Sequence, residues 1–104
     1  MTNFIFFCTV PEIVEAKKIA MHLVEKKIVA CVNIIENITS IYTWKRNVEE
    51  NKEILLIIKT LEEKSEELIQ TIENIHSYDT PECIGIKIEK GSQKYLKWIN
   101  DVVK

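Results

Sequence analysis

A-C-V-N-I-I-E-N-I-T-S-I-Y-T-W, residues 30–44, is longer than an ordinary strand and too rich in β-branched residues for a comfortable helix. Its first half alternates, with Ala30, Val32 and Ile34 on one face and Cys31, Asn33 and Ile35 on the other. The spacing predicts a long strand whose second face sets a thiol and an amide among apolar neighbours. The remaining elements are placed around it.

Upstream, Phe4 to Val10 is aromatic and apolar without polar alternation, as a strand buried on both faces would be. Pro11 and Glu12 are then expected to open a helix, since proline is tolerated in a first turn and an acid suits the N-terminal dipole. Ala16, Ile19, Ala20, Leu23 and Val24 recur at helical spacing up to about Lys27.

Downstream, the polar residues 44–51 predict the tip of a long hairpin, and Glu53 to Thr60 its return strand. Glu62 to Ile75 reads as a second amphipathic helix with a charged, solvated beginning. H-S-Y-D-T-P-E, residues 76–82, reads as a loop. Ile84, Ile86 and Ile88 alternate with Cys83, Gly85 and Lys87 as a fourth strand. The tail carries Leu96, Ile99 and Val103 at helical spacing, with Ser92 as its cap.

The order β-α-β-β-α-β followed by a C-terminal helix is that of an α+β, ferredoxin-like sandwich with an antiparallel sheet. Two helices cover one sheet face. The other is expected to present Ile35, Leu55, Ile57 and an aromatic of the first strand. Leaving four or five such side chains wet forfeits roughly 2 kcal/mol each, a sum comparable to the whole stability of a domain, about 5–15 kcal/mol. Self-association through the sheet is the expected remedy.

The 104 residues, 46% hydrophobic, suit one compact domain spanning 1–104. A net charge of −2 with scattered cations argues against nucleic acid as a partner. Three widely spaced cysteines, an odd number without a C-x-x-C pair, suit a reducing compartment, so a cytoplasmic location is expected. No stretch approaches the ~20 apolar residues of a membrane span.

C-T-V-P-E at 8–12, A-C-V-N-I at 30–34, S-I-Y-x-W at 40–44, Glu53 and I-K-T at 58–60 form a series. It continues with H-x-Y-x-x-P-E at 76–82 and Y-L-x-W-I at 95–99, and so resembles the CutA family of divalent-cation tolerance proteins along nearly the whole chain. The resemblance implies a tight homotrimer, its sheets packed around the three-fold axis and its hairpins exchanged between neighbours. One departure is that Arg46, followed by Asn47, stands where the family usually has glycine. Asn47 is the nearby residue suited to a left-handed turn.

Cys31 offers a soft thiolate suited to copper or zinc, or else is a small buried hydrophobe. The resemblance places it near the clefts between subunits. His76 is either a cap on the second helix or a metal ligand, joined by the carboxylate of Glu82. Tyr78 is expected among the cleft residues, or else Tyr78, Pro81 and Glu82 simply fix their loop. Cys8 and Cys83 fall in predicted strands and read as structural, and His22 as a surface residue. The resemblance puts Trp44, Glu53 and Lys59 among recurrent cleft residues, Trp44 as interface anchor or stacking ring.

The function implied is divalent-metal binding, chiefly of Cu(II), by a homotrimer that contributes to metal tolerance, with no tightly bound cofactor. The alternative is a trimer resembling the PII regulators, with a small anion held in the intersubunit cleft by Lys59 and the loop at His76. Catalysis by Cys31 and His76 lacks an assignable orienting group and oxyanion hole, so no enzyme is expected.

Overall fold

A computed structural model describes residues 1–104. The elements are β1 (Asn3–Val10), α1 (Ile13–Glu25), β2 (Cys31–Trp44), β3 (Asn47–Leu61), α2 (Ser65–Ile75), β4 (Ile84–Lys87) and α3 (Gln93–Val102). All strand pairs are antiparallel, in the sheet order β2-β3-β1-β4, which is the α+β, ferredoxin-like arrangement expected. Glu12 keeps an extended backbone (φ −140°, ψ 152°), so α1 begins after it rather than at Pro11. Residues 62–64 form a 3₁₀ turn ahead of α2.

One sheet face carries Phe6, Cys8 and Val10 of β1 with Ile54, Leu56 and Ile58 of β3, and it packs under α1 and α2 against Leu23, Leu68 and Ile72. On the opposite face the ladder sets Phe7 beside Ile57 and Ile84, and Leu55 beside Ile35. α3 covers only one end of that face, where Ile99 and Val103 bury Leu61 and Asn100 bonds Asn3. Phe7, Leu55 and Ile57 remain half-buried there, while Ile35, Ile84 and Ile86 are 42%, 62% and 58% exposed. The open apolar face expected from the alternation is present. Ser92 caps α3 by accepting from the Tyr95 N–H.

The hairpin differs from expectation at its tip. Pairing continues to Trp44↔Asn47, leaving Lys45 and Arg46 alone in the turn. The ladder's bonds are between backbone groups, so the polar side chains of 47–52 do not end it; they face outward. Lys45 and Arg46 have φ of 51° and 71°, and Asn47 lies in the strand rather than supplying the left-handed residue. Positive φ at both central residues is the I′ turn that hairpin twist favours, normally built from Asn-Gly. Lys27, at φ 61°, closes α1 in the same conformation, with Ile28 N–H bonding Leu23 O and Lys27 N–H bonding Val24 O, a Schellman pair that usually has glycine at this position.

A side chain in the left-handed region costs roughly 1–2 kcal/mol, partly offset in glycine by its greater unfolded-state entropy. Arg46→Gly and Lys27→Gly are each expected to stabilise the protein by about 0.5–1 kcal/mol in denaturant titrations. The matching alanine variants are expected to show no gain.

Candidate functional site

The site begins with an irregularity in β2. Ile35 pairs with Leu55 and Ile38 with Glu53, so Glu36 and Asn37 together stand opposite Ile54 alone. Such a bulge shifts the side-chain alternation by one residue. Beyond it the even-numbered Ser40, Tyr42 and Trp44 share a face with Glu53, whereas before it the odd-numbered Cys31, Asn33 and Ile35 do. Simple alternation along residues 30–44 would have put Ile41 and Thr43 there instead.

On this face, between the hairpin and the loop 76–83, lies an open cleft of about 600 Å³. Trp44, Tyr42 and Ser40 line it from β2, Glu53 from β3, and Tyr78 and Glu82 from the loop. Glu53 is buried, and its Oε2 accepts a 2.6 Å hydrogen bond from the Tyr78 hydroxyl. Burial, then this bond and the Glu53 charge, hold the Tyr78 phenol protonated far above its ordinary range. Glu82 is also pushed up, by burial first and then by repulsion from Glu53. Neither carboxylate has an ion-pair partner within the chain.

His76 shapes the loop from below. It ends α2, but its ring does not cap that helix: Nε2 donates to Thr9 O of β1 at 2.7 Å, while Nδ1 accepts the Tyr78 N–H at 2.9 Å. The second bond requires an unprotonated Nδ1, so the ring is the neutral Nε2–H tautomer. Glu15 of α1 ties down the next residue through the Ser77 N–H and hydroxyl, at 2.9 and 2.7 Å. With both nitrogens engaged and its side chain inaccessible, His76 is a brace for the loop that presents Tyr78 and Glu82.

Cys31 is elsewhere. It pairs with Lys59 at the other end of β3, six residues from Glu53, or about 20 Å along the strand. There its thiol and the Lys59 ammonium both donate to Asn33 Oδ1, and burial, followed by Cys31, raises the Tyr95 phenol of α3. Within one chain the structure thus brings Glu82, Tyr78, Glu53 and Trp44 together and leaves Cys31 and Lys59 apart from them; no three His, Cys, Asp or Glu side chains group as a metal cage. Ser40, Tyr42 and Thr9 are cleft residues not singled out from the sequence; the bulge turns Ser40 and Tyr42 into the cleft, and Thr9 enters it from β1, opposite Leu55. Cys8, read as structural, is fully buried with its thiol pushed up to about 12 by burial and then by Cys83 and Glu82; Cys83 precedes β4 rather than lying within it.

The family profile of the CutA1 divalent ion tolerance protein matches residues 4–102. The chain is 42% identical to the divalent-cation tolerance protein CutA of Archaeoglobus fulgidus over 103 residues, covering 99% of each. It is 46% identical over 97 residues to a CutA homolog of Xenopus laevis, covering 93% of this chain and 64% of that one; it spans little more than half the length of several such relatives. The crystal structure of CutA1 from Oryza sativa superposes with a TM-score of 0.97 at 36% identity, over 100% of this chain and 95% of the other.

Two substitutions check the assignments. A raised folded-state carboxyl means that the native state holds its proton more tightly than the unfolded chain, so stability falls as pH rises from the ordinary carboxylate range through the shifted value. Glu82→Gln is expected to remove that fall and to raise the melting temperature at pH 7, read by scanning calorimetry across pH. His76→Ala strands Thr9 O and the Tyr78 N–H and is expected to destabilise by about 1–3 kcal/mol, measured by denaturant unfolding.

Proposed function

Because the chain belongs to the CutA1 divalent ion tolerance family, we propose that it contributes to tolerance as a homotrimer whose clefts bind a divalent cation, chiefly Cu(II), in a reducing, cytoplasmic setting. The carrying observation is the pair Glu53 and Glu82, two carboxylates turned into one open cleft without a cationic partner. Their repulsion is relieved by a bound cation, and copper outranks the other divalent first-row ions at a given set of donors. The Tyr78 hydroxyl, donating to Glu53, leaves the other Glu53 oxygen for the cation.

Trimer assembly draws on the open apolar face, which runs from Ile86 and Phe7 to Leu55 and Ile35 and borders the cleft at Thr9. A neighbouring subunit there both covers those side chains and closes the cleft, and it is the route by which a second chain's Cys31 can join the carboxylates. His76 enters as the brace of the loop rather than as a ligand. The family is named for tolerance rather than for a reaction. Anion binding is disfavoured by the same two carboxylates and by the distance of Lys59.

Light scattering at micromolar concentration is expected to give three times the chain mass; a monomer would overturn the assembly. Calorimetric titration with Cu(II) is expected to show saturable binding that weakens at least about 10-fold in Glu82→Gln, with the variant still folded and more stable than the parent. Affinity unchanged from the parent in both Glu82→Gln and Glu53→Gln would remove the cleft as the site, and Cys31→Ser decides whether a neighbour's thiol takes part.

A further inference from the structure

β1 and β4 pair in continuous antiparallel register, Phe4↔Lys87, Ile5↔Ile86, Phe6↔Gly85 and Phe7↔Ile84. The pairing ends there, where β4 begins, and the same register extended one residue further puts Cys83 opposite Cys8. The facing is fixed independently by the next pair but one. A Cβ added at Gly85 would lie 2.6 Å from the Phe6 ring, so residue 85 points to the α1–α2 side of the sheet, as Phe6 does. Cys8, two positions from Phe6 along β1, points the same way. Cys83 packs on the cluster that contains Cys8, and both are free thiols.

Directly opposed residues of an antiparallel pair have Cα atoms about 4.5–5.5 Å apart, inside the range of about 4.4–6.8 Å that a disulfide spans. From this juxtaposition we propose that Cys8 and Cys83 are a modification site, a cross-strand dithiol that a hydroperoxide converts to an intrachain disulfide. Cys83 is half-buried at the end of the loop and Cys8 has no exposure, so Cys83 is the thiol the oxidant meets and Cys8 the resolving one.

In the first step the Cys83 sulfur attacks the peroxide. The O–O bond breaks, an S–O bond forms, and the alcohol or water leaves with the thiol proton, giving a sulfenic acid. In the second, the Cys8 sulfur displaces that hydroxyl; the S–S bond forms, and the Cys8 proton departs with the hydroxide as water. Two thiols and one hydroperoxide thus yield a disulfide, an alcohol and a water, the two electrons passing from sulfur to the peroxide oxygens. Burial keeps both thiols protonated, so the first step is slow, and proximity makes the second fast. The bond ties the loop that bears Tyr78 and Glu82 to β1. The proposal rests on strand geometry and is independent of cation binding in the cleft.

The test uses the full chain with Cys31→Ser, which leaves these two thiols alone. After hydrogen peroxide treatment, non-reducing digestion and mass spectrometry are expected to find the Cys8 and Cys83 peptides joined, two hydrogens lighter than their sum. The bond should be reversible by dithiothreitol, with no covalent dimer on a non-reducing gel and a higher melting temperature than the reduced protein. In the additional Cys83→Ser variant, Cys8 is expected to stay a free thiol under the same treatment. Joined peptides from different chains, Cys83 carried on to sulfinic acid beside an unreacted Cys8, or two thiols still titratable would each overturn the proposal.

Discussion

Glu36 and Asn37 stand opposite the single residue Ile54, and every β2 side chain beyond them changes face as a result. Antiparallel strands have a side-chain period of two, so one unmatched residue is enough to invert the alternation. Before the bulge the outward face of β2 carries Cys31, Asn33 and Ile35; after it, Ser40, Tyr42 and Trp44. The aromatic wall of the cleft and its placement beside Glu53 follow from that inversion, while Cys31 stays apart because it pairs with Lys59, six residues from Glu53. Asn37 takes the left-handed backbone within the bulge, a conformation its short polar side chain tolerates well.

The same sheet divides its two faces unequally. α1 and α2 bury one side around Leu23, Leu56, Ile58 and Ile72, whereas α3 reaches only the Leu61 end of the other. What remains uncovered runs continuously from β4 through β1 and β3 to β2, because Ile86, Ile57, Leu55 and Ile35 sit on neighbouring rungs. A face of this kind loses free energy in water in proportion to its apolar area. It borders the cleft at Thr9, which pairs with Leu55.

Within the loop 76–83 the sequence segment most crowded with chemistry divides into support and presentation. His76 and Glu15 spend their hydrogen-bonding capacity on Thr9 O, the Tyr78 N–H and Ser77, which anchors the loop to β1 and α1. Tyr78 and Glu82 are then held over the cleft, where burial and the neighbouring Glu53 raise both groups. The thiols divide similarly: Cys8 and Cys83 lie on the helix-covered side of the sheet, Cys31 on the open side.

Periodicity and turn chemistry alone determined the element order, the antiparallel ferredoxin-like class, the open apolar face and the importance of residues 76–82, since each depends on local backbone preferences or on a period read directly from the chain. The motifs from Cys8 to Ile99 determined the family. Only the tertiary structure showed what the two His76 nitrogens meet: Thr9 O, 67 residues away in sequence, and the Tyr78 backbone N–H. It alone separated Cys31 and Lys59 from Glu53 and Glu82, and packed Cys83 on the cluster that contains Cys8. Strand register is a relation between distant segments, and one bulged residue, which no composition or spacing marks, selects which side chains meet.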